Sequence, residues 1–504
     1  MAPFILLVLV SLLFVPTSSY VQQTKEGFIS GVISDKGLDF AKDILIEQGI
    51  ASIVQLQLPE IEKSVQVPFI GNAKVILSEI TIKDIQVNSS SVVSGESGIF
   101  LVVSGATADL AMKWRYSCSS WLIPIGISDS GNATVKVKGM QVGLTVDLRN
   151  EEGTLKLILL DYGCYVGDLS IKLEGGASWL YQVLVDAFQG NIASAVEDGI
   201  SDKVSEGIGK LDTLLQSLPK QISVDNFAEL NVSFVGNPVL SSTSIAIAIN
   251  GLFTERNVFL VPQRYRKRLQ VSSACGGLPK MIKVSIHENV FRSASLVYFR
   301  ADNCPSSFFW FQEGSMQMII DELPNQAILN TAEWRFIVPQ LYKKYPNDDM
   351  QLNISASSPP VILVDNQDIR ASVLVDIAID VLEAGEVIPV ACISVDISAS
   401  CSVDIIRNKI NGRLKLEEFS AYLKWSKIGK LHISLIQSLI STALKTVVIP
   451  YLNLELKKGL ALPTIDGFAF QNANILYLPP WIAVCTDVSY LEDYYLTQHS
   501  AYVS

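Results

Sequence analysis

A stretch of alternating cationic and aromatic residues at 112–123 is the part of this sequence best suited to binding an anion. Successive side chains of a β-strand point to opposite faces, so Lys113 and Arg115 would share one face. Trp114 and Tyr116 would then share the other face. Ammonium and guanidinium groups bind phosphate, and aromatic side chains with a polar tip favour an interface between water and lipid. The pattern predicts a contact for a phosphorylated amphiphile.

Lys136 and Lys138 form a second cationic pair on a nearby predicted strand. Together with Lys113, Trp114 and Arg115 they make up the candidate phosphate-contact residues. An ordinary surface strand with its aromatic rings in the core would give the same pattern, and this alternative stays open. Charges of this kind are screened beyond about 8 Å in physiological salt, so they would hold a ligand at short range without steering it.

Isolated serine and aspartate residues are common in the sequence, but none lies in a recognisable catalytic or metal-binding motif. The three histidines (His287, His432 and His499) lie far apart, and the seven cysteines include no C-x-x-C pair. The sequence has no nucleophile elbow, phosphate loop, dinucleotide fingerprint or zinc-protease motif. We therefore expect a protein that is not an enzyme and that uses no metal or cofactor. A net charge of −11 also argues against a nucleic-acid partner.

The N-terminus has the features of a secretory signal peptide. Its apolar stretch at 4–15 is too short to span a bilayer and leads into small residues, which predicts cleavage near Ser19. No later segment is interpreted as a membrane span, so no transmembrane anchor is expected. Some cysteines should pair in an oxidising compartment, in an order that spacing does not give. Four N-x-S/T sequons predict a secreted glycoprotein, with glycans on Asn88, Asn132, Asn231 and Asn353.

Hydrophobic periodicity divides the mature chain into two halves with a similar order of elements. Each half predicts a short helix, alternating strands with one buried face, and then a long helix. The first helix is expected at 35–48, where Ser34 or Asp35 would cap its start and Gly49 would end it. The later short helix is expected near 331–344. The expected division of the chain is a signal peptide at 1–19, an N-terminal domain at 20–240, a connector at 241–275 and a C-terminal domain at 276–504.

Two long helical patterns, at 176–218 and from 433 to about 460, carry the candidate lipid contacts. Apolar residues recur mostly every four positions in the first pattern, so its stripe winds around the helix by about 40° per step. One long helix wrapped over a twisted sheet fits this pattern, with two shorter core helices as the alternative. Charged residues make up only 18% of the chain, which suggests that some apolar surface is kept for a ligand. The candidate contacts, for each of which core packing is the alternative, are Leu180, Leu184, Phe188, Ile192, Val196 and Ile200, and then Leu435, Leu439, Leu444 and Val448.

Three stretches resemble the lipopolysaccharide-binding and bactericidal/permeability-increasing protein family, in the family's order. Residues 36–41 (Lys-Gly-Leu-Asp-Phe-Ala) are similar to the opening of its first helix. Residues 337–360 resemble the helix-to-strand passage of its second domain, and residues 449–463 resemble its C-terminal helix. The details are most similar to the plant branch.

The resemblance implies an α+β fold of two elongated, strongly twisted antiparallel β-barrels, each closed by a long and a short helix. A central β-sheet, with strands from the connector, would join these two lipid-binding barrels into a boomerang. Each barrel would hold a phospholipid in an apolar tunnel beneath its helices.

The chain departs from the vertebrate members of that family in two ways. Cys164 resembles their strand cysteine, but no cysteine occurs at 176–219 to pair with it. Either Cys164 pairs elsewhere, with Cys118 the nearest candidate, or that disulfide is absent. The segment at 58–63, which matches the first tip hairpin, is net acidic, whereas members that bind lipid A are cationic there. Residues 20–240 as a whole contain 16 Lys and Arg against 26 Asp and Glu.

The resemblance implies a secreted, apoplastic or vacuolar lipid-binding protein that binds bacterial lipopolysaccharide in innate immune defence. Its partners would be phospholipid, lipopolysaccharide and the bacterial outer-membrane surface. A phospholipid carrier without a bacterial ligand is the alternative that the acidic N-terminal half favours. A structural or adhesive extracellular glycoprotein is the alternative from another class.

Overall fold

The computed structural model describes residues 27–67, 71–120, 123–174, 181–225, 227–256, 275, 279–301, 330–406, 409–461 and 468–490. The expected signal peptide and Leu180 lie outside these ranges. The chain divides into two compact units. Of the described residues, those within Val32–Ser217 and Asn237–Ala246 form the N-terminal unit, and those within 27–31, Leu218–Gly236 and 247–490 form the C-terminal unit.

Long antiparallel strands dominate the first half of the chain, with one short and one long helix. The elements in chain order are β1 (Ile29–Ser34), α1 (Asp35–Ile53), β2 (Ile61–Val67), β3 (Gly71–Gln86), β4 (Ser89–Gly95), β5 (Gly98–Ser120), β6 (Ile123–Glu151), β7 (Thr154–Tyr165), β8 (Asp168–Glu174), α2 (Tyr181–Gln216), β9 (Gln221–Ser223), β10 (Ala228–Asn231), β11 (Val239–Ser241) and β12 (Ser244–Ile249).

The second half has a similar succession of helix, strands and long helix. Its elements are β13 (Phe253–Glu255), β14 (Ile282–His287), α3 (Glu288–Ala301), a 3₁₀ turn (Glu333–Phe336), α4 (Pro339–Lys344), β15 (Asp349–Ala356), β16 (Val361–Val364), β17 (Ile369–Glu383), β18 (Glu386–Ile406), β19 (Lys409–Ser426), α5 (Ile433–Ala443), a π-helical turn (Leu444–Val448), α6 (Ile449–Lys458), β20 (Leu460–Ala461), β21 (Phe468–Leu478) and β22 (Trp481–Tyr490).

The strands form four sheets within the described ranges. The N-terminal sheet has the order β2-β3-β5-β6-β7, with β4 paired to β5 and β8 paired to β6. The C-terminal sheet has the order β15-β17-β18-β19-β20, with β16 paired to β17. A six-stranded sheet has the order β11-β12-β1-β14-β22-β21, and β13-β10-β9 form a small sheet. Helices packed on antiparallel sheets give the α+β class that the sequence predicts.

Helix α1 starts where the sequence indicates but runs further. The Ser34 hydroxyl accepts a hydrogen bond from the Gly37 amide at 3.3 Å, which confirms the predicted cap. The prediction that Gly49 ends the helix is wrong, because α1 continues to Ile53. Ile50 and Ile53 extend the apolar side of the helix onto the N-terminal core, and that packing favours five helical residues beyond the predicted end.

Helix α2 is one continuous helix of 36 residues, so the alternative of two shorter helices is wrong. Phe188, Ile192, Val196 and Ile200 are buried on the inner side of α2 and belong to the core over the N-terminal sheet. A Cβ atom on Gly199 would lie 2.5 Å from a methyl carbon of Leu58. Glycine therefore allows α2 to approach the segment before β2 closely.

The helical elements of the second half differ from the prediction in detail. The helix expected near 331–344 is divided into a 3₁₀ turn and α4, because Pro339 lacks an amide hydrogen and occupies the first turn of a new helix. The long helix expected from 433 is confirmed. It comprises α5, the π-helical turn and α6, and we call it the C-terminal helix. It ends before Gly459, whose φ of +73° favours glycine.

The C-terminal helix corrects one expectation. No segment after residue 15 was expected to be long and apolar enough to cross a membrane, yet Ile433–Lys458 meets that standard by length and composition. It is the one such helix within the described ranges. Lys445 divides the apolar sequence of this helix into shorter runs. A search for uninterrupted apolar stretches therefore does not detect the helix.

The cysteines resolve the alternatives that their spacing left open. Cys275 forms a disulfide with Cys485 across 210 residues, and both belong to the C-terminal unit. Cys164 is a free thiol, so the strand-to-helix disulfide of the vertebrate proteins is absent. Burial raises the pKa of the Cys164 thiol to about 12, and the nearby Glu197 carboxylate adds to this effect. Cys164 is therefore an unreactive, protonated thiol at neutral pH.

Candidate functional site

A cavity with apolar walls lies between α2 and the N-terminal sheet. Phe188 and Ile192 contribute from the helix, and Trp114 contributes from β5. The cavity volume is about 10 Å³, which is room for one water molecule. At this place the described side chains leave far less space than an acyl chain needs. The full lining is Val75, Leu77, Met112, Trp114, Ile171, Leu173, Val185, Phe188 and Ile192.

The candidate lipid contacts of the N-terminal half have different positions around this cavity. Phe188 and Ile192 form part of its wall, whereas Val196 and Ile200 are buried in the same core one and two turns further along α2. Leu184 lies in α2, and Leu180 lies outside the described residues. The winding stripe thus identified the inner side of α2, and the sheet residues that complete the cavity were not among the candidate lipid contacts.

Among the described residues, the inner face of the C-terminal sheet is fully buried at one end, and α6 packs against the other end through hydrogen bonds between Asn453 and the Leu414 backbone. Ile379, Ala391, Ile393 and Val395 are at most 1% exposed and pack in one core with Leu341 of α4. The strand register continues the same face in three further rows whose apolar side chains are only half-buried. These rows, which we call the half-covered rows, are Val373–Ile397–Phe419, Ala371–Ala399–Leu416 and Ile369–Cys401–Leu414.

The candidate contacts on the C-terminal helix do not all face the sheet. Leu444 is buried and Val448 is half-buried, but Leu435 and Leu439 are 50% and 40% exposed. For Leu435 and Leu439 the predicted inward position is therefore wrong. The fully buried residue of α5 is Ile436, and Ile433 and Ile440 pack beside it. The sequence is apolar on nearly all sides of α5, so periodicity did not identify the inner face; the spacing of these three isoleucines was the available signal.

The alternation at 112–116 has the predicted two faces. Trp114 and Tyr116 are buried, with their ring planes stacked at a centroid distance of 6.0 Å. The Trp114 indole N–H donates to the Asn132 carbonyl at 3.1 Å. Trp114 therefore faces the cavity side of the sheet, as the alternation predicts, and its contact with a phosphorylated ligand stays a prediction. Lys113 and Arg115 are exposed on the opposite face.

Carboxylates neutralise part of the cationic face. The Lys113 ammonium lies 2.8 Å from a Glu79 carboxylate oxygen, and the Lys136 ammonium lies 3.6 Å from Asp109. Arg115 and Lys138 are exposed and have no ion-pair partner among the residues that the structure describes. The face can offer the Arg115 guanidinium and the Lys138 ammonium directly, but the register separates them by about 26 Å, since Arg115 pairs with Ser130 and each residue spans about 3.3 Å. Lys113 is available only in competition with Glu79.

The sequon asparagines differ in accessibility. Asn88 is exposed between β3 and β4, while Asn132 and Asn353 are exposed within strands. Asn231 is half-buried, and its side-chain oxygen accepts a hydrogen bond from the Ser233 amide at 3.1 Å. Glycosylation of the four remains a prediction, and Asn88 has the most favourable position. Within the described ranges, no group of three or more His, Cys, Asp or Glu residues could hold a metal ion.

Comparison with known proteins connects this architecture to one family. The family model for the N-terminal domain of the LBP / BPI / CETP family matches residues 37–218, and the model for the C-terminal domain matches residues 222–490. A BPI/LBP family protein of Arabidopsis thaliana is 46% identical over 97% of both chains. The lipopolysaccharide-binding protein of Homo sapiens is 24% identical over 88% of this chain and 93% of its own.

A solved structure supports the fold assignment. The crystal structure of lipopolysaccharide binding protein matches with a TM-score of 0.61 over 92% of this chain and 99% of its own, at 19% identity. The predicted fold class is thereby confirmed, and the Arabidopsis relative agrees with the plant branch. The chain belongs to the LBP / BPI / CETP family.

Proposed function

We propose that this protein binds amphipathic lipids by covering their acyl chains with apolar surface and leaving the polar headgroup at the protein surface. The observation that carries the proposal is the set of half-covered rows, because nine apolar side chains there are only half-buried. Acyl chains would complete their burial, at about 0.8 kcal/mol for each methylene group removed from water. A structural or adhesive glycoprotein would have no need of such surface.

Bacterial lipopolysaccharide is the ligand we propose, in a role in innate immune defence. The names of the human and the Sebastes schlegelii relatives, a lipopolysaccharide-binding and a bactericidal permeability-increasing protein, support this choice. Arg115 and Lys138, with Lys113 when it leaves Glu79, would contact the phosphates of the glycolipid. Secretion to the apoplast, after cleavage near Ser19, would bring the protein to its ligand.

A phospholipid carrier is the second candidate, and the ion pairs favour it. Glu79 and Asp109 form ion pairs with Lys113 and Lys136, so the cationic face has little unpaired positive charge for a strongly anionic glycolipid. Burial of acyl chains would then dominate affinity, and the headgroup would matter little. The two candidates share the acyl site and differ in what the cationic face contributes.

Lipid extraction and mass spectrometry of the purified protein test the shared part. We expect bound phospholipid under both candidates. A protein that carries no lipid, and that takes up none from vesicles, would contradict the proposal and favour the structural alternative.

Titration of lipopolysaccharide tests the choice of ligand. Lys113→Glu/Arg115→Glu should weaken binding about tenfold or more, because two charge-assisted contacts are reversed. The matched control is Arg292→Glu/Lys343→Glu, which makes the same charge change at two exposed positions of the C-terminal unit. Glu79→Gln should strengthen binding by releasing Lys113. Equal binding by all four proteins would reject the cationic face as a lipopolysaccharide site and leave the phospholipid carrier.

A further inference from the structure

We propose that the C-terminal helix docks this protein on the surface of an anionic lipid bilayer. An 18-residue stretch of this helix is apolar enough to cross a membrane, yet only 6% of that stretch is buried. One side carries the buried Ile436 and Leu444, and Ile436 packs in the core over the C-terminal sheet. Leu435, Leu439 and Leu454 are exposed to water. Exposed apolar surface of this extent marks a binding site on a soluble protein.

The polar side chains of the exposed side do not need water as a hydrogen-bond acceptor. The hydroxyls of Ser438, Thr442 and Thr446 lie four residues apart, and each donates to the backbone carbonyl four residues earlier at 2.8 to 3.0 Å. Helices in contact with lipid satisfy serine and threonine hydroxyls in this way. Moving this side of the helix out of water therefore costs little for its polar groups.

The charge of the C-terminal helix and of the six residues before it (427–432) is complementary to an anionic surface. Residues 427–458 contain five lysines and one acidic residue, whereas the whole chain has a net charge of −11. The acidic residue, Glu455, is paired with Lys458 at 2.6 Å. Lys445 is exposed in the middle of the helix. Lysines near an anionic membrane contribute about 1 kcal/mol each, and their long side chains allow the charge to reach the headgroups while the helix lies deeper.

The corresponding helix of the N-terminal unit lacks this character. On its exposed side α2 carries acidic residues such as Asp186 and Asp198, which an anionic bilayer would repel. Leu214 is exposed at 48%, close to the value for Leu435, but it lies in an acidic helix. Two long helices in equivalent places of the fold therefore present opposite charge to a membrane, and α2 supplies a matched control.

A bilayer fits the exposed side better than a second copy of the chain does. A symmetric dimer would place the same patch on both partners, so two lysine-rich helices would face each other without opposite charge. An anionic bilayer offers both apolar depth and negative charge. Docking requires only the exposed side of the helix, so the inference does not depend on the lipid cargo proposed above.

Flotation of the full-length protein with vesicles tests the inference. Wild-type protein should float with vesicles of equimolar phosphatidylcholine and phosphatidylglycerol, and less with phosphatidylcholine alone. Leu435→Glu/Leu439→Glu should bind at least about tenfold more weakly, because two apolar contacts become charges at the headgroup level. Leu214→Glu should bind like the wild type. Lipid content by mass spectrometry should be equal in all three proteins, which separates docking from the cargo site.

A misfolded Leu435→Glu/Leu439→Glu protein would also bind vesicles weakly, so a second variant is designed to gain a fluorescence signal on binding. Leu439→Trp introduces an indole at the exposed position, and brominated phosphatidylcholine in the anionic vesicles should quench its additional fluorescence. The same substitution at Leu214 should give no additional quenching. Three results would overturn the inference: wild-type protein that does not float, equal binding by Leu435→Glu/Leu439→Glu with native stability, or a dimer in solution that this double substitution dissociates.

Discussion

Replacement of Phe188 by alanine tests how tightly α2 closes on the N-terminal sheet. Phe188 is 2% exposed and forms part of the cavity wall. The change removes apolar burial and adds on the order of 100 Å³ to the cavity, and the cavity term alone is about 24 cal/mol per Å³. The total loss should be about 3–5 kcal/mol, since the surrounding strands relax only in part. The melting temperature of the unit should fall by roughly 10 °C.

Calorimetry of lipid-free protein provides the measurement, with Leu214→Ala on the exposed side of α2 as the control. The control should change the free energy of unfolding by no more than about 0.5 kcal/mol. A loss below about 1 kcal/mol for Phe188→Ala would refute the packing argument, because the ring would then lie beside open space. Adding phosphatidylcholine should restore more stability to this variant than to the wild type, because an acyl chain can fill the new space at about 0.8 kcal/mol per methylene. Equal restoration in both proteins would contradict an acyl site beneath α2.

Three further predictions concern the framework around the site. Cys275→Ser/Cys485→Ser should cost about 5 kcal/mol, because the bond closes a loop of 210 residues, and chemical denaturation of the C-terminal unit should detect the loss. Burial alone would raise the pKa of Asp225, but hydrogen bonds from the Tyr298 hydroxyl and two backbone amides hold it below its usual value. The Asp225 carboxylate therefore stabilises the fold above a pH of about 4, and this contribution declines as the pH falls through the lower folded pKa. Tyr298→Phe should cost about 1–2 kcal/mol of unfolding free energy at neutral pH and less in acid. Unfolding curves measured across pH would reveal this difference. Gly131→Ala should destabilise by about 1–3 kcal/mol, since its Cβ would lie 2.3 Å from the Glu174 carbonyl, whereas Gly207→Ala, with open space around it, should be neutral or stabilising in thermal melts.

The sequence predicts the strands and α2 well because one face of each is apolar. The alternation at 110–116 identifies the buried side of β5, and the four-residue spacing at 188–200 identifies the inner side of α2. Element ends are predicted less well. Gly49 resembles a helix stop, but tertiary packing of Ile53 outweighs that local signal. Pro339 divides a helix that periodicity alone presents as continuous.

The candidate site is predicted where a segment has two distinct faces and missed where it does not. Lys113 and Arg115 are exposed as expected, but sequence spacing cannot place Glu79 beside Lys113, because β3 and β5 meet only through the sheet register. On α5 nearly every side is apolar, so the sequence could not distinguish Ile436, which faces the core, from Leu435, which faces water. Both errors have one cause: the deciding neighbour comes from a distant part of the chain.

The two units differ in how completely their apolar faces are covered, and this bears on where a lipid would bind first. Beneath α2 the described side chains leave a cavity of about 10 Å³, so an acyl chain could enter only if helix and sheet separate, at the cost of the contacts of residues such as Phe188. The half-covered rows of the C-terminal sheet require a smaller loss, because their side chains are only half-buried before any ligand arrives. Since the gain per methylene is the same in both places, the difference in prior packing should decide affinity. Lipid should therefore occupy the C-terminal unit at lower concentration than the N-terminal unit.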